Sequence, residues 1–339
     1  MNNNNIGILG TGIYLPQKRM TAAEISAATK GVWSESAVIA KLGIVEKTIP
    51  DKEDGTQEMA VKAAMDALNN CAVDPLDIDL ILCVGEEWKE YPLTTSGIYI
   101  QHKIGAHNAW AIDIQQRCCT TVAALKIAKD MMTIDSELKT VMIVGGYRNS
   151  DFIDYEDSAV SFMFNLSAGA GAIILKRDYP KNLVLGTHII TDGSMARDAG
   201  VKYGGTEYPI TAENCNIAYK SLKVFDEAHM KNRLNEVSMP NWFYCIDKAF
   251  EKSGMNRSHL SFLCCLHFKR SMYEFMLKEL NLNSQQSVYL QNYGHMGQID
   301  QILLLHLAQQ QGKLKDGDVI SMIAAGIGYA WGANVIRWG

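Results

Sequence analysis

The chain has 339 residues, with 32 Lys and Arg against 37 Asp and Glu, a net charge of −5. Apolar residues make up 47% and charged residues 20%, which excludes a disordered tail, a collagen-like repeat and a coiled coil. The slight acidity argues against nucleic-acid binding, which needs a basic surface to neutralise phosphate, and no apolar run approaches the ~20 residues of a membrane span.

In chain order, residues 1–5 lead directly into Ile6-Gly7-Ile8-Leu9-Gly10. This reads as a first strand, not a signal or transit peptide, so a cytoplasmic location is expected. The sequence GILGTG at residues 7–12 continues into Ile13-Tyr14-Leu15-Pro16 with no helix behind its third glycine, and so fails as a dinucleotide fingerprint. Apolar periodicity predicts a helix over 56–70, strands at 78–84 and 110–114, a helix over 122–132 and a strand at 140–144. Residues 167–172 (SAGAGA) are glycine-rich but run into a strand, Ile173-Ile174-Leu175. A phosphate cradle needs a helix N-terminus behind it, so small residues here imply close packing instead. Residues 203–220 read as irregular. Beyond them the pattern predicts a helix over 242–254, a strand at 260–266, a helix over 301–310 and a strand at 319–323.

These elements repeat. Strands 78–84 and 260–266 lie 182 residues apart, with DPLDIDLILCV against NRSHLSFLCCL, and strands 140–144 and 319–323 lie 179 apart. Two offsets that nearly agree predict a duplicated α/β unit with halves 1–178 and 179–339. The boundary falls near 176–184, where Lys-Arg-Asp-Tyr-Pro interrupts the apolar pattern. If the halves pack about a pseudo-twofold, loops before equivalent helices meet on one face. Cys118 and His295 both sit in such loops.

Eight cysteines stand at 71, 83, 118, 119, 215, 245, 264 and 265, with no C-x-x-C pair and no His at zinc-finger spacing. They read as reduced thiols, most of them core, and no metal is expected. Cys118 is set apart by its place between a strand and a helix start, where unpaired N–H groups favour thiolate; two small core residues at a helix start is an equal reading. In Asn292-Tyr293-Gly294-His295-Met296-Gly297-Gln298-Ile299-Asp300, two glycines flank the His. Positions i and i+5 of a straight helix lie about 140° apart, but a glycine-forced turn lets Asp300 reach His295 and fix its tautomer. The bland alternative is a capping Asp and an unrelated loop His. His267 ends a strand, a common active-site address, though a lone His is as often a satisfied core residue.

In order and spacing the chain resembles β-ketoacyl-acyl-carrier-protein synthase III and its thiolase-fold relatives over essentially its whole length. The carriers are GILGTGIYLP, Trp33 followed by KLGI, IDIQQRCCTTVAALKIA around Cys118, SAGAGAIIL where that family usually has GDGAGA, and AAGIGYAWGANVIRW. The resemblance implies a five-layered αβαβα fold of two duplicated halves, normally a homodimer, with no tightly bound cofactor. It implies Cys118 as the nucleophile that takes an acyl group from an acyl-carrier-protein or coenzyme A thioester, and His267 as the first catalytic His. It also places Trp33 near the pantetheine-bearing donor and Tyr91 across the dimer interface at the acyl pocket. The backbone N–H groups of Cys118 and of Gly326–Ile327 form the oxyanion hole in this reading. Arg148 and Lys41 are candidates for the phosphopantetheine phosphate, an ordinary surface role being at least as good a reading.

One position departs from the family pattern. Where the family has Asn in G-N-T, this chain has Gly294-His295-Met296, and G-H-x-G-x-x-D resembles the acyltransferase branch known from polyketide pathways. That branch uses a Cys–His–Asp triad and passes the acyl group to an oxygen, nitrogen or sulfur acceptor without forming a carbon–carbon bond. Two alternatives stay open. One is decarboxylative condensation by a Cys–His–His site, as in fatty-acid synthesis. The other is a non-catalytic partner subunit that binds a carrier protein, against which the joint presence of Cys118, His267, His295 and Asp300 argues.

Overall fold

The computed structural model describes residues 5–339; Met1 to Asn4, part of the leader reading above, lie outside the described residues. The first half contributes β1 (Ile6–Tyr14), α1 (Thr56–Cys71), β2 (Leu80–Cys83), α2 (Ser96–Ile104), β3 (Trp110–Asp113), α3 (Thr120–Ile134), β4 (Thr140–Tyr147) and β5 (Gly169–Arg177). The second contributes β6 (Leu183–Thr191), α4 (Glu227–Lys252), β7 (Phe262–Cys265), α5 (Arg270–Glu279), α6 (Asp300–Gln310), β8 (Val319–Gly326) and β9 (Ala330–Arg337).

The strands run β7-β8-β9-β6-β1-β5-β4-β2-β3, and the order carries the duplication. Outward from β1, the neighbours β5 and β4 are antiparallel steps and β2 joins β4 in parallel. Outward from β6, β9 and β8 are antiparallel steps and β7 joins β8 in parallel. Where the first half has β3 parallel to β2, the second has a single parallel bridge from Leu263 to Ser287. Among the described residues the ladders of the two sets join through one register pair, Gly7 and Leu183, flanked by hydrogen bonds between Ile8 and Asn182.

Helices α3 and α6 each pack on strands of both sets, while α1 covers β1, β4 and β5 and α4 covers β6 and β9. The result is a five-layered αβαβα arrangement of two pseudo-symmetric halves. Position in the layers explains composition. Every residue of β4 is buried, which is why TVMIVGGY reads as one apolar run without alternation. Central helix α6 buries Leu303, Leu304 and Leu305 alike, so it lacks a polar face. Its seat on β5 requires glycine: a Cβ on Gly171 would stand 2.9 Å from the Ile302 Cγ2. The SAGAGA run is therefore a packing surface for the central layer.

Some boundaries differ from expectation. The helix expected over 242–254 begins at Glu227, with the Asp226 side chain accepting from the His229 N–H, and runs through Pro240. Its added turns carry Met230, Leu234 and Val237 at helical spacing, but Pro240 interrupts the pattern, so only the segment beyond the proline reads as helix. The strand expected to stop at 144 extends to Tyr147, which carries that ring to the site described next. Residues 203–220 hold one short helix, Cys215–Ala218, in otherwise irregular chain. No helix among the described residues is long and apolar enough to cross a membrane. Because α6 sits directly on Gly171, Gly171→Val is expected to destabilise the fold by about 1–3 kcal/mol through overpacking; an unchanged urea midpoint would contradict that seating.

Candidate active site

Two equivalent loops end at the two central helices, and that equivalence builds the site. Cys118 lies in the turn Arg117–Cys119 between β3 and α3, and His295 lies just before the turn Gly297–Ile299 that opens α6. The His295 Nε2 stands 3.3 Å from the Cys118 Sγ. Its Nδ1 stands 2.5 Å from Asp300 Oδ2. The positive φ of Gly294 (80°) and Gly297 (57°) turns the chain so that residues five apart in sequence come face to face. A side chain at Gly297 would also strike the Tyr147 ring, 2.4 Å from the Cβ position.

Asp300 is fully buried and accepts three hydrogen bonds. Besides His295, the His267 N–H donates to Oδ2 at 2.8 Å and the Met296 N–H donates to Oδ1 at 2.7 Å. The His295 backbone is held as well: its N–H donates to Asn165 O at 2.8 Å and its carbonyl accepts from Ser167 N–H at 2.9 Å. Burial opposes charge on the His295 ring, but the Asp300 carboxylate and then Cys118 outweigh it and hold its pKa well above the ordinary imidazole value. The sign follows from linkage. With the folded pKa raised, the pair contributes its full stability below the unfolded value of about 6.5 and loses it as pH rises through the folded value.

His267 behaves oppositely. Its Nε2 lies 3.0 Å from the Leu42 carbonyl, to which it donates, and its Nδ1 is buried without a partner. Burial pushes its pKa down to about 4, so the ring is neutral near pH 7. It joins the constellation through its backbone, on Asp300, while its ring N–H is engaged away from Cys118.

The remaining expected residues scatter. Gly326 lies against the Cys118 turn, its Cβ position 3.2 Å from the Cys118 N. Ile327 lines, with Gln116, Arg117 and Tyr329, a cavity of about 250 Å³ beside that turn. The Trp33 ring packs edge-on to Phe164 at 6.2 Å and carries the Lys41 Nζ 5.7 Å over its face. Tyr91 is 71% exposed and, among the described residues, makes no side-chain hydrogen bond to the other site residues. Arg148 is occupied by its own surroundings: its Nε donates to Asp151 Oδ2 at 2.7 Å and one Nη donates to the carbonyls of Asp51 and Asp54. It latches the 51–54 loop, and a surface reading of its charge missed those acceptors.

Other residues of the site carried no local signal. Arg117, at a left-handed φ of 51°, pairs with the buried Glu86 at 3.1 Å and the exposed Glu87 at 3.3 Å. The paired glutamates following the apolar run of β2 were the one available hint. Burial raises the Glu86 pKa against the pull of Arg117, and burial, then the nearby Cys118, Glu86 and Asp300, raises that of Tyr147 well above its usual value. The halves are stitched below Cys118 by buried bonds. Thr121 Oγ1 donates to Gln298 O and Gln298 Nε2 donates to Val84 O, both at 2.6 Å. Among the described residues no cluster of three His, Cys, Asp or Glu side chains is arranged to hold a metal ion.

Comparison with known proteins gives this site a family. A family model for 3-oxoacyl-[acyl-carrier-protein] synthase III matches residues 112–193, which hold Cys118, and the model for its C-terminal part matches 250–338, which hold His267, His295 and Asp300. The chain belongs to the 3-oxoacyl-[acyl-carrier-protein] synthase III family. It is 28% identical over 334 residues to the β-ketoacyl-[acyl-carrier-protein] synthase III of Aquifex aeolicus, covering 98% of this chain and 99% of that one. To the synthase of the same name from Clostridioides difficile it is 26% identical over 337 residues, covering 99% of each. Among solved structures, the 3-oxoacyl-[acyl-carrier-protein] synthase III of Aquifex aeolicus superposes with a TM-score of 0.84 at 24% identity, over 98% of this chain and all of that one. The priming β-ketosynthase of the R1128 polyketide pathway superposes with a TM-score of 0.83 at 21% identity, over 98% and 96%. Those two likenesses establish the thiolase fold.

The coupling of His295 to Asp300 is measurable without substrate. Side-chain NMR should find the wild-type His295 titrating well above the free imidazole value of about 6.5. In Asp300→Asn the charge is lost and the midpoint should fall; coincident titrations would show that the carboxylate does not govern this ring.

Proposed function

We propose that the chain is an acyltransferase that loads an acyl group onto Cys118 and passes it to an oxygen, nitrogen or sulfur acceptor. The observation that carries this reading is the linear relay from Sγ through both nitrogens of His295 to a fully buried carboxylate. His295 Nε2 takes the Sγ proton, and the thiolate attacks the carbonyl carbon of a coenzyme A or carrier-protein thioester. The tetrahedral oxyanion faces the backbone N–H groups of Cys118 and the Gly326–Ile327 turn. As it collapses, the donor thiol leaves with the proton held by the imidazolium. The acceptor then gives its proton to Nε2 and attacks the acyl-cysteine, expelling the Cys118 sulfur, which is reprotonated. Through both steps Asp300 keeps the proton on Nδ1 and stabilises the imidazolium.

The second reading is decarboxylative condensation, and the full-length relatives that bear the synthase III name favour it. That chemistry calls for neutral hydrogen-bond donors aimed at an enolate. His267 spends its ring N–H on the Leu42 carbonyl, and His295 is biased towards its charged form. Both features suit proton transfer better.

Intact-mass measurement across a panel of acyl thioesters tests the reading. Wild type should gain an acyl adduct that Cys118→Ala abolishes. Asp300→Asn should load but transfer more slowly, by as much as ~10⁴-fold on the precedent of a serine-protease triad. His295→Asn should lose transfer to an acceptor. Wild-type protein that decarboxylates a malonyl thioester and extends a loaded chain by two carbons would establish the second reading instead. A chain that gains no mass from any donor would be a carrier-protein-binding subunit.

We also propose a homodimer, in the cytoplasm, as the working form. Edge strand β3 leaves Trp110 48% and Ile112 43% exposed, with Ile98 of α2 and Tyr91 exposed as well. An apolar edge of this kind invites a second copy, and Tyr91 would then reach the partner's acyl pocket. Light scattering should give a dimer mass, with a buried area above roughly 2,000 Å², and Trp110→Glu should shift it towards monomer. A wild-type monomer at micromolar concentration would count against this assembly.

A further inference from the structure

Behind His295 lies a lysine for which the acyl-transfer scheme has no use. Lys47 is fully buried, and among the described residues no carboxylate pairs with it. Its Nζ donates to Phe164 O at 2.7 Å and to Leu166 O at 2.6 Å, with the Tyr155 ring centroid 5.2 Å away. A lysine placed for charge would have an acid beside it. This one has two backbone carbonyls.

Those carbonyls belong to the segment that carries His295. Phe164 and Asn165 form the turn that leaves the helical stretch Ser158–Met163, and Leu166 meets His295 in a single parallel bridge, so the carbonyls of this segment part to two sides. On one side Asn165 O accepts the His295 N–H and Ser167 N–H donates to His295 O. On the other side the carbonyls of Phe164 and Leu166 face Lys47, whose amine supplies their donors. The lysine's own strand adds to the clamp: Thr48 Oγ1 donates to Ala168 O at 2.5 Å, and the Thr48 N–H donates to Tyr293 O at 3.2 Å. Gly294 fits directly over this lysine, its Cβ position 2.8 Å from the Lys47 Cβ. Lys47 thus braces the turn from behind while Asp300 braces it from the front.

We infer that Lys47 is a positioning residue for the Cys118–His295 pair: by satisfying the carbonyls on either side of Asn165, it fixes the backbone from which His295 reaches the thiol. The neutral form serves this purpose. An uncharged amine has two N–H groups, one for each carbonyl, and a lone pair that needs no partner. Burial favours that form by pushing the Lys47 pKa down to about 7. The inference concerns the site that the acyl-transfer reading uses, but it rests on geometry that either acyl chemistry would share.

Its test therefore avoids acyl donors. The rate at which iodoacetamide alkylates Cys118 is followed by peptide mass spectrometry at pH 7, with exposed Cys215 as the internal control for reagent. Lys47→Met keeps length and removes both donors. It should slow alkylation at Cys118 by roughly 10- to 100-fold, the cost of a reacting group displaced by about 1 Å, with Cys215 unchanged. Lys47→Arg restores donors but brings a permanent charge to a buried place without a carboxylate, so it should recover the rate only in part. Lys47→Met that folds, alkylates Cys118 at the wild-type rate and differs only in thermal stability would overturn the inference. Should that variant not fold, Lys47→Gln decides in its place: its shorter amide can reach one carbonyl at most, and a wild-type rate in it is equally fatal. Loss of acyl loading in the wild type would sink the functional reading while leaving this measurement intact.

Discussion

The site hangs on one buried carboxylate. Placing the Asp300 charge out of water costs several kcal/mol, and it is tolerable only because three N–H groups converge on the two oxygens. Each charge-assisted bond returns about 1.5–3 kcal/mol, so gain and cost are of similar size and the net effect on stability is modest. Specificity of shape is the larger return. The donors come from the end of β7, from the turn after His295 and from the imidazole itself. Satisfying Asp300 therefore fixes the strand end, the turn and the ring together. A carboxamide in its place would keep the shape but carry no charge, and could meet three donors with one good acceptor only.

That carboxylate sits where the duplication puts it. Asp300 begins α6 and Thr120 begins α3, and these helices form the central layer shared by both halves. A pseudo-twofold brings the loops before equivalent helices to one place, so one loop can offer a nucleophile and the other a base. The halves need not remain alike once placed. The first loop ends in a turn with Arg117 strained into a left-handed φ, the second in two glycines that relieve such strain. Small residues make the arrangement possible, since α6 can approach β5 only where Gly171 leaves room.

What could be read from the sequence follows from where each signal is stored. The layered fold was legible because strands buried on both faces are unbroken apolar runs, and the repeat of those runs survives drift in individual residues. The His295–Asp300 contact was legible because its determinant is local: two glycines within four residues dictate a turn. The acceptors of Arg148 were not legible because the carbonyls of Asp51 and Asp54 that hold it lie almost a hundred residues away. Lys47 was invisible for the same reason, as a lysine between Glu46 and Thr48 looks like solvent-facing strand until the chain at 164–166 is packed over it. The start of α4 was lost because Pro240 reads as a helix breaker, although Met230, Leu234 and Val237 keep helical spacing ahead of it.

The two histidines show how environment, not residue type, assigns chemistry. Both are buried, and burial alone would keep each neutral. His295 gains a carboxylate on one nitrogen and a thiol on the other, and its charged form becomes the favoured one. His267 gains only a carbonyl on one nitrogen and nothing on the other, and stays neutral. Asp300 touches both residues but treats them differently, since it meets the ring of the first and the backbone of the second. A proton can therefore be stored at one imidazole beside Cys118 without being shared with its neighbour. A site that moves a proton on and off an acceptor needs that asymmetry. A site that only steadies an enolate would be better served by two neutral rings with free N–H groups, and the Leu42 carbonyl leaves His267 without one.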